Sequence, residues 1–290
     1  MTKQRNVSTI WKSKPAIEGA GVHLKRVFGF NQAPDLDPFL LLDDFHSGNP
    51  DEYLAGFPWH PHRGIETITY MHQGTVEHGD SMGNKGTIAP GDVQWMTAGS
   101  GIIHQEMPRG DNRKRMGGFQ LWANLPARRK MMDPRYRDIR CSTIPEKELD
   151  SGARVKIICG TVDQVSGPVQ DVVIEPEYLD VTVPAGATFR HRIRNGHTAF
   201  AYVIGGTARM RGASGDDSGE RAFAEHLVLF DREGEEIVIT ADQEPVSFLL
   251  ISGKPLGEPV AWYGPIVMNT REELRTAFEE YEQGTFIKHG

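Results

Sequence analysis

Two short stretches of this 290-residue chain carry side chains whose types and spacing suit metal binding. In Phe57-Pro-Trp-His60-Pro-His62-Arg-Gly-Ile-Glu66, two histidines stand two residues apart. Alternate residues of an extended strand point to the same side, so His60 and His62 would present two imidazoles to one point while Trp59 and Pro61 face away. Gly101-Ile-Ile-His104-Gln-Glu106 repeats the device with one imidazole and one carboxylate. Together the four offer three nitrogens and one oxygen, a mixed set that suits a first-row transition ion. Were that ion octahedral, two positions would stay open for a substrate and dioxygen. Glu66 competes for the fourth place. Glu106 is favoured, because it lies one strand repeat from His104, whereas Glu66 lies two repeats beyond His62 unless the chain turns between them.

Short strands must position these residues. Ile65–Met71, Asp92–Met96, Val155–Ile158, Leu179–Val183, Ala199–Ile204, Leu227–Phe230, Glu236–Thr240 and Val246–Ile251 are brief and rich in β-branched or aromatic residues, and turn formers bound most of them. That pattern implies an all-β sandwich or barrel. One helix is expected, Arg271–Tyr281, with Asn269 or Thr270 as N-cap, Glu272 and Glu273 in the first turn and Gly284 as the stop. The charged stretch from Pro134 to Gly152 reads as a connection between two halves. A weak internal echo supports the division: Glu66 precedes Gly74 by the same eight residues that separate His197 from Gly205. On that register His60 and His62 correspond to His191 and Ile193, as in a duplicated barrel whose second copy has lost its site.

The whole chain sets bounds on function. Its formal charge of -7, with acidic and basic residues interspersed, gives no basic field of the kind that binds phosphate backbones, so nucleic acid is not an expected partner. The basic run Pro126–Lys130 reads as a solvated loop. Cys141 and Cys159 have no CxxC spacing, which argues against a disulfide framework or a thiolate zinc site and suits a reducing cytoplasm. No apolar run approaches eighteen residues and the N-terminus carries no apolar signal core, so neither secretion nor membrane insertion is expected.

The chain resembles cupins, whose first motif places His-x-His a few residues before a Glu, but it departs from the generic form by carrying glycine in Gly99-Ser-Gly101 where proline is expected. The departures match a narrower family. Leu36-Asp-Pro-Phe-Leu-Leu-Leu-Asp-Asp44, His60-Pro-His-Arg-Gly-Ile-Glu-Thr67, the run from Pro90 to Pro108, Leu121-Trp-Ala-Asn-Leu125 and Gly264-Pro-Ile-Val-Met-Asn-Thr270 resemble the pirin pattern from end to end. The resemblance implies two tandem cupin, jelly-roll-like β-barrels with a C-terminal helix: residues 1–135 as an N-terminal metal-binding domain and 136–290 as a C-terminal cupin domain without a complete metal site. It also implies one divalent transition metal ion held by His60, His62, His104 and Glu106, with iron(II) favoured and manganese, nickel, cobalt, copper or zinc admitted. Bacterial pirins are similar to quercetinases, so the implied activity is ring-opening dioxygenation of a flavonol such as quercetin with release of carbon monoxide. Glu106 is then the nearest base for the flavonol 3-hydroxyl. The chain is expected to act as a cytoplasmic monomer on a small aromatic substrate and O2. The alternative is a non-catalytic metal-containing regulatory protein, either a redox-sensing transcriptional co-regulator or a modulator that binds another enzyme, the latter with Met1–Lys14 and the C-terminal helix as contact surfaces.

Other polar residues have plainer expectations. Asp43 and Asp44 read as a turn after Phe39–Leu42 that could face the site entrance, and His72, His78, His191, His197 and His226 as surface or hydrogen-bonded core. Gln94, Trp95 and Met96 read as core. Trp59 and Trp95 are expected at an apolar, aromatic mouth able to take a flat polyphenol.

Overall fold

The structure, a computed structural model, describes residues 3–212 and 219–288; Met1 and Thr2 of the N-terminal contact segment lie outside the described residues. Most regular structure is strand, and it falls into two compact units, one formed by residues 14–141 with 256–290 and the other by residues 1–13 with 142–255. Each unit is discontinuous, unlike the contiguous halves 1–135 and 136–290 expected from sequence. Strand pairing is the cause. The first strand, β1 (Val7–Lys12), pairs with His226–Phe230 in the later unit, while Arg63 bridges Ile266 in the C-terminal hairpin and so draws the chain's end into the earlier one.

The earlier unit contains β2 (Lys14–Glu18), β3 (Val22–Phe28), a short helix α1 (Ala33–Leu36), β4 (Phe39–Asp44), β5 (Phe57–His62), β6 (Ile65–Gln73), β7 (Thr75–Asp80), β8 (Lys85–Ile88), β9 (Val93–Thr97), β10 (Ile102–Arg109), β11 (Gly117–Asn124) and β12 (Arg135–Ile139). They form a seven-stranded sheet in the order β12-β9-β6-β11-β4-β3-β2 and a four-stranded sheet in the order β5-β10-β7-β8. The pairs among them are antiparallel, and β5 and β10 are direct neighbours with His60 opposite His104. That register brings together two motifs whose paired histidines are 44 residues apart in sequence.

The later unit repeats the plan. Its seven-stranded sheet runs Val7–Lys12, His226–Phe230, Thr198–Gly205, Val246–Gly253, Glu177–Val183, Arg154–Cys159 and Glu146–Glu148, and its four-stranded sheet runs Thr188–Arg192, Glu236–Ala241, Thr207–Met210 and Glu220–Phe223. His191 stands opposite Ile237 here, where His60 stands opposite His104 in the other unit. The positions matching His60, His62 and His104 are therefore His191, Ile193 and Ile237. Ile193 and Ile237 join Phe189 and Phe248 in the buried apolar cluster, where each isoleucine contributes roughly 1.5–3 kcal/mol of burial free energy.

The C-terminal helix α2 (Arg271–Glu282) starts at Thr270, whose hydroxyl accepts from the Glu273 amide while the Glu273 carboxylate accepts from the Thr270 amide. This capping box settles the choice between Asn269 and Thr270. Helix and tail are fastened to the site strand through Arg63, which is buried directly after His62. Its guanidinium donates to the carbonyls of Ser100 and Phe286, pairs with Glu280 at 2.7 Å and lies 4.2 Å over the Phe286 ring. Gly101, at φ 143°, lets the tail approach; a Cβ there would stand 2.9 Å from the Phe286 carbonyl oxygen. Removing one partner of a buried pair leaves the other uncompensated, and Glu280 is partly exposed. Arg63→Ala is therefore expected to cost about 3 kcal/mol, the lower end of the buried-pair range. Guanidinium unfolding checks it, and a loss under about 1 kcal/mol would show that the latch is dispensable.

Candidate metal centre

β5 and β10 present His60, His62 and His104 to one point. The Nε2 atoms of His60 and His62 are 3.1 Å apart and those of His60 and His104 are 3.0 Å apart, and the three rings form a group whose ligand atoms all lie within 4.8 Å of one another. His62 and His104 are almost fully buried. Burial, with repulsion from the neighbouring imidazoles, pushes both well below the ordinary histidine range, so both rings are neutral near pH 7.

Backbone carbonyls fix the proton positions. His60 Nδ1 donates to the Pro58 carbonyl at 2.8 Å and His62 Nδ1 donates to the Pro265 carbonyl at 3.0 Å. His62, neutral and carrying its one proton on Nδ1, turns its Nε2 lone pair toward His60 Nε2. Carbonyl-anchored Nδ1 atoms are the usual support of metal-binding imidazoles. The spacing is informative too. Metal–nitrogen bonds of about 2.1 Å set nitrogens about 3.0 Å apart at a right angle and about 3.4 Å apart at a tetrahedral one. The two pairs that include His60 match the right angle, as in an ion of octahedral type.

A cavity of about 780 Å³ opens beside the histidines, within the size range of small-molecule sites. Its aromatic wall starts at His62 and continues through Trp122, Trp262 and Phe30, with successive ring centroids 5.0, 6.0 and 5.6 Å apart. Glu106, two residues after His104 on β10, also lines it and is buried.

Comparison with known proteins decides the family. The Pirin family model matches residues 21–123, and the model for the Pirin C-terminal cupin domain matches residues 178–287. This chain belongs to the pirin family. A Pseudomonas aeruginosa pirin relative, provisionally named a quercetin 2,3-dioxygenase, is 42% identical over 98% of this chain and 99% of its own. A pirin-like protein of Solanum lycopersicum is 43% identical over 92% of this chain and 88% of its own. The crystal structure of quercetin 2,3-dioxygenase from Acinetobacter baumannii aligns with a TM-score of 0.87 at 30% identity, covering 98% of this chain and 99% of that one.

Within this pirin the two competing glutamates face different surroundings. Glu66 is buried with its carboxylate accepting from the Thr97 hydroxyl at 2.6 Å, and burial pushes it up. Glu106 shares the cavity with His60 and His62, and its Oε1 lies 3.1 Å from the Thr69 hydroxyl. That hydroxyl also lies 2.5 Å from Gln120 Oε1. One hydroxyl proton cannot serve two acceptor oxygens at once. Donation along the shorter contact leaves the Glu106 carboxylate loosely held and able to turn toward the histidines.

Several expectations need correction. Asp43 and Asp44 are the last two residues of β4, not a turn, and they point to opposite faces: Asp43 lines the cavity, whereas Asp44 accepts from His46. Trp59 is half exposed and Trp95 is buried; neither lines the cavity, whose tryptophans are instead Trp122 on β11 and Trp262 in the C-terminal hairpin. Lys130 is not part of a solvated loop. It is 1% exposed, and its ammonium donates to the carbonyls of Gly64 and Val267 and to Asn124 Oδ1, which braces the turn after His62. Burial pushes it down to about 7. His78 is buried with its ring centroid 5.3 Å from that of His104, stacked against Tyr136. Only its strand position, alternating with Val76 toward the interior, hinted at this.

Proposed function

We propose that this pirin is a metal-dependent flavonol 2,3-dioxygenase, with His60, His62, His104 and Glu106 as its metal ligands and Glu106 also as its base. The observation that carries the reading is the pair of carbonyl-anchored imidazoles opening into an aromatic cavity that also holds a buried carboxylate. Bound at the histidines, a divalent transition ion, iron(II) by preference, supplies Lewis acidity that favours the flavonol as its 3-oxyanion. Glu106 accepts the proton released from the 3-hydroxyl. Trp122 and Trp262 hold the flat rings and exclude water from the face that dioxygen approaches. The overall change consumes one O2 per flavonol, opens the central ring and expels the carbon that bore the 3-hydroxyl as carbon monoxide, so no external reductant is needed.

The test is direct. Metal-loaded protein mixed with quercetin in air is expected to bleach the flavonol absorbance and release one carbon monoxide per quercetin, faster than the same concentration of free metal salt. Unchanged absorbance at full metal content, or fading no faster than with the salt, would sink the dioxygenase reading and favour the regulatory one.

A further inference from the structure

Apart from the histidines, the polar side chains that line the cavity include one row that crosses the seven-stranded sheet. Arg26 on β3 stands opposite Asp43 on β4, Asp43 opposite Gln120 on β11, and Gln120 opposite Thr69 on β6. Directly opposed residues share a face, so the four form a row across the interior. The row starts at Glu106, which Thr69 touches, and ends at Arg26, whose guanidinium clamps both oxygens of Asp43 at 2.8 and 2.9 Å and reaches Glu18 at 2.8 Å.

Its hydrogen-bonding capacity is not used up. A carboxylate has about four lone-pair sites, and Arg26 takes two of those on Asp43, which is 5% exposed and lines the cavity. Gln120 spends its carbonyl oxygen on Thr69, so its amide NH2 is the group left for the cavity. With strands about 4.8 Å apart, Asp43 lies about 10 Å across the sheet from Thr69. That separation is of the same order as the span from a flavonol's 3-hydroxyl to the hydroxyls on an outer ring.

We propose that Asp43 and Gln120 are specificity-determining residues that hydrogen-bond outer-ring phenolic hydroxyls, so that the cavity selects polyhydroxylated flavonols over flavonols with bare rings. The inference rests on the flavonol reading of the site and names the substrate class within it. A phenolic O–H donating to a carboxylate makes a charge-assisted bond, and a substrate lacking that hydroxyl leaves the buried acceptor unpaired, which is the strongest basis for discrimination a site can have. Burial pushes the Asp43 carboxyl up to about 6, and Arg26 opposes that push and orients it.

Anaerobic titration of the metal-loaded protein separates binding from turnover. Quercetin and 3-hydroxyflavone share the 3-hydroxy-4-oxo unit and differ in the outer hydroxyls. Wild type is expected to bind quercetin at least tenfold tighter, and Asp43→Asn and Gln120→Met each to shrink that ratio by about tenfold, chiefly through weaker quercetin binding. Gln120→Met leaves the Arg26–Asp43 pair intact, so it stands as the test should Asp43→Asn fail to fold. A wild-type ratio near one, or a ratio unchanged in Gln120→Met, would overturn the proposal. Preference for quercetin without bleaching in air would instead sink the dioxygenase reading and leave the recognition row standing.

Discussion

His62→Ala and His104→Ala are expected to emerge from desalting with almost no bound transition metal, while His197→Ala retains about one ion per chain. Each of the first two removes one of three imidazoles that converge within 3.0–3.1 Å contacts of His60. Losing even a supporting partner of a metal ligand costs tenfold to a hundredfold in affinity, and losing the ligand itself exceeds that. His197 lies in the other unit, where the positions matching His62 and His104 are isoleucines packed in the core. The two ligand variants should also lose the rise in thermal midpoint that wild type shows on adding metal, because stabilisation by a ligand of the native state disappears with its affinity. Elemental analysis with circular dichroism as a folding control decides the matter. Equal metal in all three variants would show that the assigned ligands are wrong, and two ions per wild-type chain would show that a second centre exists.

The three histidines were legible because metal chelation from strands needs alternate positions, and His60-Pro-His62 and His104-Gln-Glu106 obey that rule without reference to anything distant. The core strands were legible for a similar reason: segments such as Val246–Gly253 are buried along nearly all their length and carry apolar runs such as Phe248–Ile251. Strands at the sheet margins were harder. Lys14–Glu18, Lys85–Ile88 and Glu220–Phe223 are edge strands with mostly exposed or half-exposed side chains, so their sequences carry charge and glycine instead of an apolar pattern. The discontinuous units were hidden because pairing of β1 with His226–Phe230 joins residues more than two hundred apart. The polar row escaped for the same reason. Arg26, Asp43, Gln120 and Thr69 are each unremarkable in their own strands, and only the register of four strands makes them one feature. Lys130 was misjudged because its neighbours Arg128 and Arg129 are exposed, and a run of basic residues gives no sign of which one turns inward.

Glu106→Gln is expected to lower the turnover of quercetin by about a hundredfold or more at full metal occupancy, the usual contribution of a positioned general base. The substitution keeps the side chain's shape, so packing around β10 should survive. What disappears is the negative charge and the ability to take the 3-hydroxyl proton. Two effects must be separated, since a carboxylate beside three neutral imidazoles also offsets the charge of a divalent ion. Metal content measured on the same samples, and rates expressed per bound ion, make that separation. Thr69→Val supplies the second control: it removes the hydroxyl that lies 3.1 Å from Glu106 Oε1 while keeping the carboxylate. If Glu106 must swing from Thr69 toward the substrate to act, Thr69→Val should hold its rate per ion within a few-fold of wild type. If Thr69 instead orients the carboxylate for proton transfer, the two variants should lose rate together. A Glu106→Gln rate per bound ion within about twofold of wild type would remove Glu106 from the chemistry altogether, leaving it at most a metal ligand.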